Sequence, residues 1–104
     1  MHRVLIPVFS PEQLTDEFIL EATKTADVVI LLEVIDPNDN MSAEEIASRT
    51  EEVNFVVSKI EKNLHRRGVR FVFSKEWGNR EEKIKSTFMR EHIDKIAFPH
   101  GFPG

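Results

Sequence analysis

The chain has 104 residues with a net charge of -4, 40% hydrophobic and 31% charged residues, and no cysteine. That length sustains one small domain over residues 1–104. The balance is that of a globular chain, and the lack of thiols excludes disulfides, thiolate metal sites and a cysteine nucleophile. An acidic protein with a pI of about 5.6 is poorly suited to nucleic acid or an anionic membrane. No apolar run reaches membrane-spanning length and no signal-peptide core follows the N-terminus, so a cytosolic protein is expected.

Residues 3–9, RVLIPVF, read as a first buried strand with Pro7 near its end, where a missing N–H matters least. Ser10, Pro11 and Gln13 then match an N-cap, a first helical position and a capping box. Leu14, Phe18, Ala22 and Ala26, with Ile19, give that first helix one core-facing stripe. Val28 to Ile35, VVILLEVI, is apolar but for Glu33, as a central parallel strand covered on both faces requires. Residues 36–40 are a loop by composition.

Ser42 with Glu45 is a second capping box, opening a helix expected to run to Arg67 and stop at Gly68. Ile46, Val53, Val57, Ile60 and Leu64 mark its buried side. Its first half is acidic and its second half basic, an order that suits the helix dipole and makes a nucleic-acid patch unnecessary as an explanation. Val69, Phe71 and Phe73 alternate with polar residues, as in an edge strand. Trp77 follows, suited to covering the end of the sheet. Asn79 with Glu82 opens a third helix carrying Ile84 and Phe88, and Ile93 to Phe98 reads as the last strand. Strands alternating with helices imply right-handed crossovers and a parallel sheet with helices on both faces.

With the elements in this order, RVLIPV, LLEVIDP, GVRFVF and WGNREEKIKSTFMREHIDKIAF resemble the successive strands and third helix of the universal stress protein family, over nearly the whole chain. The resemblance implies an α/β, Rossmann-like fold: an open parallel four-stranded sheet of order 3-2-1-4, lacking the family's fifth strand, which commonly pairs two subunits. It also implies a crevice between strands one and four, at the topological switch point. Many members bind ATP or AMP there, using a proline and an aspartate at the end of strand one, a valine of strand two and glycine-rich loops for the phosphates. Carried over by position, that site comprises Pro7, Val8, Ser10, Val34, His100 and Gly101. The aspartate has no counterpart, since Pro7-Val8-Phe9-Ser10 is one residue short, and the second phosphate loop is missing. Phe9 cannot accept a hydrogen bond from a ribose hydroxyl.

Other signals are thinner. Asp36, Asn38 and Asn40 match three positions of a calcium loop, but Met41 and Ala47 replace its glycine and glutamate, so no metal is expected. His65 and His92 suit helix C-termini, His2 is terminal, and no two histidines have zinc-site spacing. No triad, Walker loop or dinucleotide fingerprint is present. The expected function is a non-catalytic regulatory or assembly module with nucleotide binding lost or weak, and with no certain cofactor. It would self-associate, most simply as a homodimer, or serve a protein partner. The alternatives are an ATP- or AMP-binding stress-response protein and a cryptic nucleotide hydrolase.

Overall fold

The computed structural model describes residues 1–99. Seven elements follow one another as β1 (Arg3–Val8), α1 (Asp16–Ala22), β2 (Val28–Ile35), α2 (Ala43–Arg66), β3 (Arg70–Trp77), α3 (Arg80–Arg90) and β4 (Lys95–Ile96). The strands form one parallel sheet of order β3-β2-β1-β4, as the family resemblance implied. The expected sites at His100 and Gly101 lie outside the described residues.

The two inner strands organise everything else. Side chains alternate between faces along a strand. From β1, Val4, Ile6 and Val8 meet Val29 and Leu31 of β2 beneath α1 and α2. On the other face Leu5 joins Val28, Ile30, Leu32 and Val34 against α3 and Ile93. Helices therefore cover both faces, two on one side and one on the other. The stripe expected of the first helix is buried as read: Leu14, Phe18, Ile19, Ala22 and Ala26 all lie in the first cluster.

Pro7 is tolerated for a directional reason. The carbonyls of Arg3 and Leu5 accept bonds from Asp94 and Ala97, so odd residues of β1 point their backbone groups toward β4. Pro7 has the same parity and lies beyond the last paired residue of that strand, Ile96. Its absent N–H removes no bond from the β1–β2 ladder.

Apart from shifts of one residue at the ends of β1 and α2, three boundaries differ from the sequence reading. The capping box at Ser10 does not form: Pro11–Gln13 is a short 3-10 turn without a side-chain cap, and α1 begins at Asp16, capped by Thr15 Oγ1 accepting from Phe18 N at 3.1 Å. Leu14, at φ -87° and ψ 61°, turns the chain between the two. The last strand is two residues rather than six, pairing only Lys95 and Ile96 with Val4 and Leu5 of β1. Trp77 is the last residue of β3 and is 63% exposed, so it does not seal the sheet end.

Elsewhere local chemistry and structure agree. Ser42 and Glu45 form both halves of their capping box, at 3.1 and 3.0 Å. Asn79 Oδ1 accepts from Glu82 N at 2.9 Å. Gly68 ends α2 at φ +73°, a conformation that side chains with a Cβ resist. Arg67 then ties the end of α2 to α1, donating to Thr23 Oγ1 and to its carbonyl, both at 3.0 Å.

Leu31 is fully buried at the centre of the inner pair. Leu31→Ala is expected to cost about 2–5 kcal/mol, read as a lowered denaturant midpoint with an unchanged slope.

Candidate functional site

The carboxyl ends of parallel strands are where ligands sit in open sheets of this kind. Here that end is built by the segment after β1, the loop after β2 and the first turn of α3. Val8 and Val34 are both buried, and they line one small cavity together with Glu33, Ile35, Met41 and Arg49. Its volume is about 10 Å³, room for a single water. Pro7 is buried against Leu32 in the ladder and contributes no surface. Ser10 lies apart, in a shallow open groove with Phe9, Glu12 and Glu52. Beside it the Glu12 carboxyl is held below its ordinary value, first by the Ser10 hydroxyl. Of the residues carried over from the family, Val8 and Val34 alone among those described share a cavity.

The switch point itself is occupied by side chains of the protein. The Phe9 ring stacks on Phe98, with centroids 6.3 Å apart. The Arg80 guanidinium lies 5.6 Å from the centre of the same Phe9 ring, within the range of a cation–π contact. Arg80 is fixed from three further directions. It pairs with Asp39 at 2.6 Å, donates to the Val34 carbonyl at 3.3 Å, and its backbone N–H donates to Asp36 Oδ2 at 2.9 Å. Asp36 is thereby committed to backbone: its other oxygen accepts from Asn38 N at 2.9 Å. Those bonds, Asn38 first and then Arg80, hold the Asp36 carboxyl below its usual range. The residues that had suggested a calcium loop are thus a cap and an anchor for Arg80. Sequence reasoning missed Arg80, since its partners lie 44 and 41 positions away.

Glu33 is the other unusual group. It is 3% exposed, on the α2 side of β2, and its Oε1 has no hydrogen-bond partner among the described residues. Lys75 Nζ stands 3.7 Å away, an ion-pair distance, and donates instead to Thr50 Oγ1 at 3.2 Å. Burial raises the Glu33 pKa, and the Lys75 and Arg49 charges only partly oppose it. A carboxyl with a raised native pKa binds its proton more readily folded than unfolded, so ionising it lowers stability as pH rises.

No family model and no curated protein matches the sequence. Among solved structures, the chain is similar to the hypothetical protein MJ0577, whose structure is described as a structure-based assignment of biochemical function. The TM-score is 0.67 and the identity 30%, over 92% of this chain and 72% of that one. It is also similar to the universal stress protein UspA from Lactobacillus plantarum, at a TM-score of 0.55 and 15% identity, over 98% of this chain and 81% of that one.

Glu33→Gln removes the buried charge and keeps the shape, while the part-exposed Lys75 stays solvated. The variant is expected to match or exceed the parent in stability at neutral pH. Its advantage shrinks as pH falls through the raised native pKa toward the ordinary carboxylate value. Denaturant midpoints measured across that interval check this, and a variant much less stable at neutral pH contradicts it.

Proposed function

The chain belongs to the universal stress protein family, and on that premise we propose that it is a non-catalytic regulatory or assembly module that has given up nucleotide binding at the switch point. The observation that carries this reading is the stack of Phe98, Phe9 and Arg80. The family resemblance places a sugar-binding carboxylate where this chain has Phe9. An aromatic ring accepts no ribose hydroxyl, and stacked on Phe98 it fills space that a nucleoside needs. The cavity lined by Val8 and Val34 has room for one water. The larger space beside Phe9 and Ser10, about 430 Å³, is an open groove lined, among the described residues, by Glu12, Glu45 and Glu52 against the single cation Arg49, a poor setting for phosphates. Arg80, beside Phe9, is already paired with Asp39.

Self-association belongs to the same reading. Among the described residues β4 has one sheet neighbour and forms the edge. Open edges invite pairing. An apolar groove lined by Ile84, Phe88, Met89 and Ile96 runs beside it, and Met89 is 75% exposed. A homodimer joined there, in the cytosol, is the simplest assembly.

Thermal unfolding with ATP or AMP and magnesium tests the nucleotide half of the proposal. A ligand at one hundred times its dissociation constant adds about 2.7 kcal/mol, which moves a domain of this size by well over about 5 °C. The expected result is no shift at millimolar nucleotide; a clear rise overturns the reading. Sedimentation of the same protein is expected to show mass rising with concentration, and a strictly monomeric profile removes the assembly half.

A further inference from the structure

The outer face of α2 carries a charge order that its own fold does not use. Phe55 sits at the midpoint of this 24-residue helix and is 65% exposed. Residues four and eleven positions to either side share its face, since these spacings return close to the same direction on a helix. On the N-terminal side they are Glu51 and Glu44, and on the C-terminal side Lys59 and Arg66. Lys62, seven positions on, completes the basic half. All are exposed, and among the described residues none of these charges is in an ion pair. The Lys59 ammonium lies 4.6 Å from the centre of the Phe55 ring, which places both on one face.

The helix dipole accounts for Glu44 and Arg66, in the first and last turns, but not for the middle of the pattern. Its influence fades within the first and last turns, whereas Glu51 and Lys59 stand in the middle of α2. Intrahelical pairing does not explain it either. Oppositely charged residues four apart stabilise a helix, and like charges at that spacing oppose it. Here Lys62 and Arg66 are four apart with the same sign. Glu45 and Arg49 are four apart with opposite signs, but Glu51 and Lys59 have no opposite charge three or four residues away within α2, so a partner of complementary order supplies what the helix does not.

We infer that α2 is a self-complementary seam on which a second copy of this chain docks antiparallel, about a two-fold axis passing beside Phe55. An isologous interface brings each residue level with its mirror position on the other copy. Phe55 then meets Phe55 of the partner subunit. Glu51 lies level with Lys59 of the partner subunit and Glu44 with Arg66 of the partner subunit, and each pair occurs twice. A parallel arrangement sets acid against acid and base against base, so one orientation is selected. The flanking grooves fit this occupant: the acidic one holds Glu12, Glu51, Glu52 and Phe55, and the other, basic on balance, holds Lys59, Lys62 and Arg66 with one acid, Asp16, beside Leu20, which is 61% exposed. One helix against one helix is a seam at the small end of protein interfaces. The association is therefore weak and strongly sensitive to salt. It lies on the opposite side of the sheet from α3, and so is distinct from association through β4.

Sedimentation equilibrium on the full chain tests it. Between about 0.01 M and about 1 M salt the screening length falls from about 30 Å to about 3 Å, and the α2 dimer is expected to dissociate across that range. Glu51→Lys and Lys59→Glu each set like charges opposite one another at two symmetric places. Each is expected to weaken association roughly tenfold or more at low salt, with little change in thermal stability at high salt, where the parent is monomeric too. The double variant Glu51→Lys/Lys59→Glu restores opposite signs and is expected to recover association. Single variants that associate like the parent overturn the α2 seam while leaving assembly through β4 intact. A double variant no tighter than the singles also overturns it. A parent that stays monomeric at low salt removes both seams.

Discussion

β1 and β2 pair residue for residue from Arg3 with Val28 to Val8 with Glu33, and almost every side chain in that ladder is shut away from water on whichever face it emerges. Parallel strands cannot be joined by a tight turn, so each connection crosses a face of the sheet, and right-handed crossing fixes which face. Travelling outward from β1 through β2 to β3 puts α1 and α2 on one side. Returning from β3 to β4 puts α3 on the other. The inner pair thus receives two helices on one face and one on the other, and this asymmetry sets the character of the rest. The first face closes over a deep cluster that runs from Val4 to Leu64. The second leaves Val72, Phe88 and Met89 substantially exposed.

Much of this architecture was legible in the sequence, and the reason differs from element to element. VVILLEVI shows itself because a doubly buried strand needs an unbroken apolar run, and it is β2 to the residue. α2 shows itself because two carriers agree, a capping box at Ser42 and a stripe of aliphatic residues. The start of α1 misled because Ser10 and Gln13 have the spacing of a capping box while the chain turns again at Leu14. The better signal was Thr15 followed by Asp16 and Glu17, a cap with two acids in the first turn. The extent of β4 was beyond reach. Apolar residues from Ile93 to Phe98 say that a segment is buried, not how many of its backbone groups find a partner.

The site was legible only as an absence. Sequence comparison could note Phe9 where a carboxylate was expected, but not what the ring does. The ring stacks on Phe98 and lies within cation–π range of Arg80, and Arg80 in turn is oriented by Asp39, Val34 and Asp36. Those partners come from the end of β2 and the loop after it, while Arg80 opens α3, far away in sequence and adjacent only because both follow neighbouring strand ends. A missing acid has thereby become the centre of a small polar and aromatic lock.

The same helix that completes the core also poses the question of what lies outside it. Inward, Val53, Val57, Ile60 and Leu64 fix α2 on the sheet so firmly that its rotation about its own axis is settled. That rotation in turn settles the outward face, and Phe55, Glu51 and Lys59 are carried to the surface together. Side chains that merely need to be soluble serve equally well with their signs mixed, and mixing favours pairs within the helix. Ordering them acid-first on both sides of one exposed aromatic ring is harder to account for without a partner. Such an order makes a surface read the same from either end once its signs are exchanged, which is the property a two-fold axis requires.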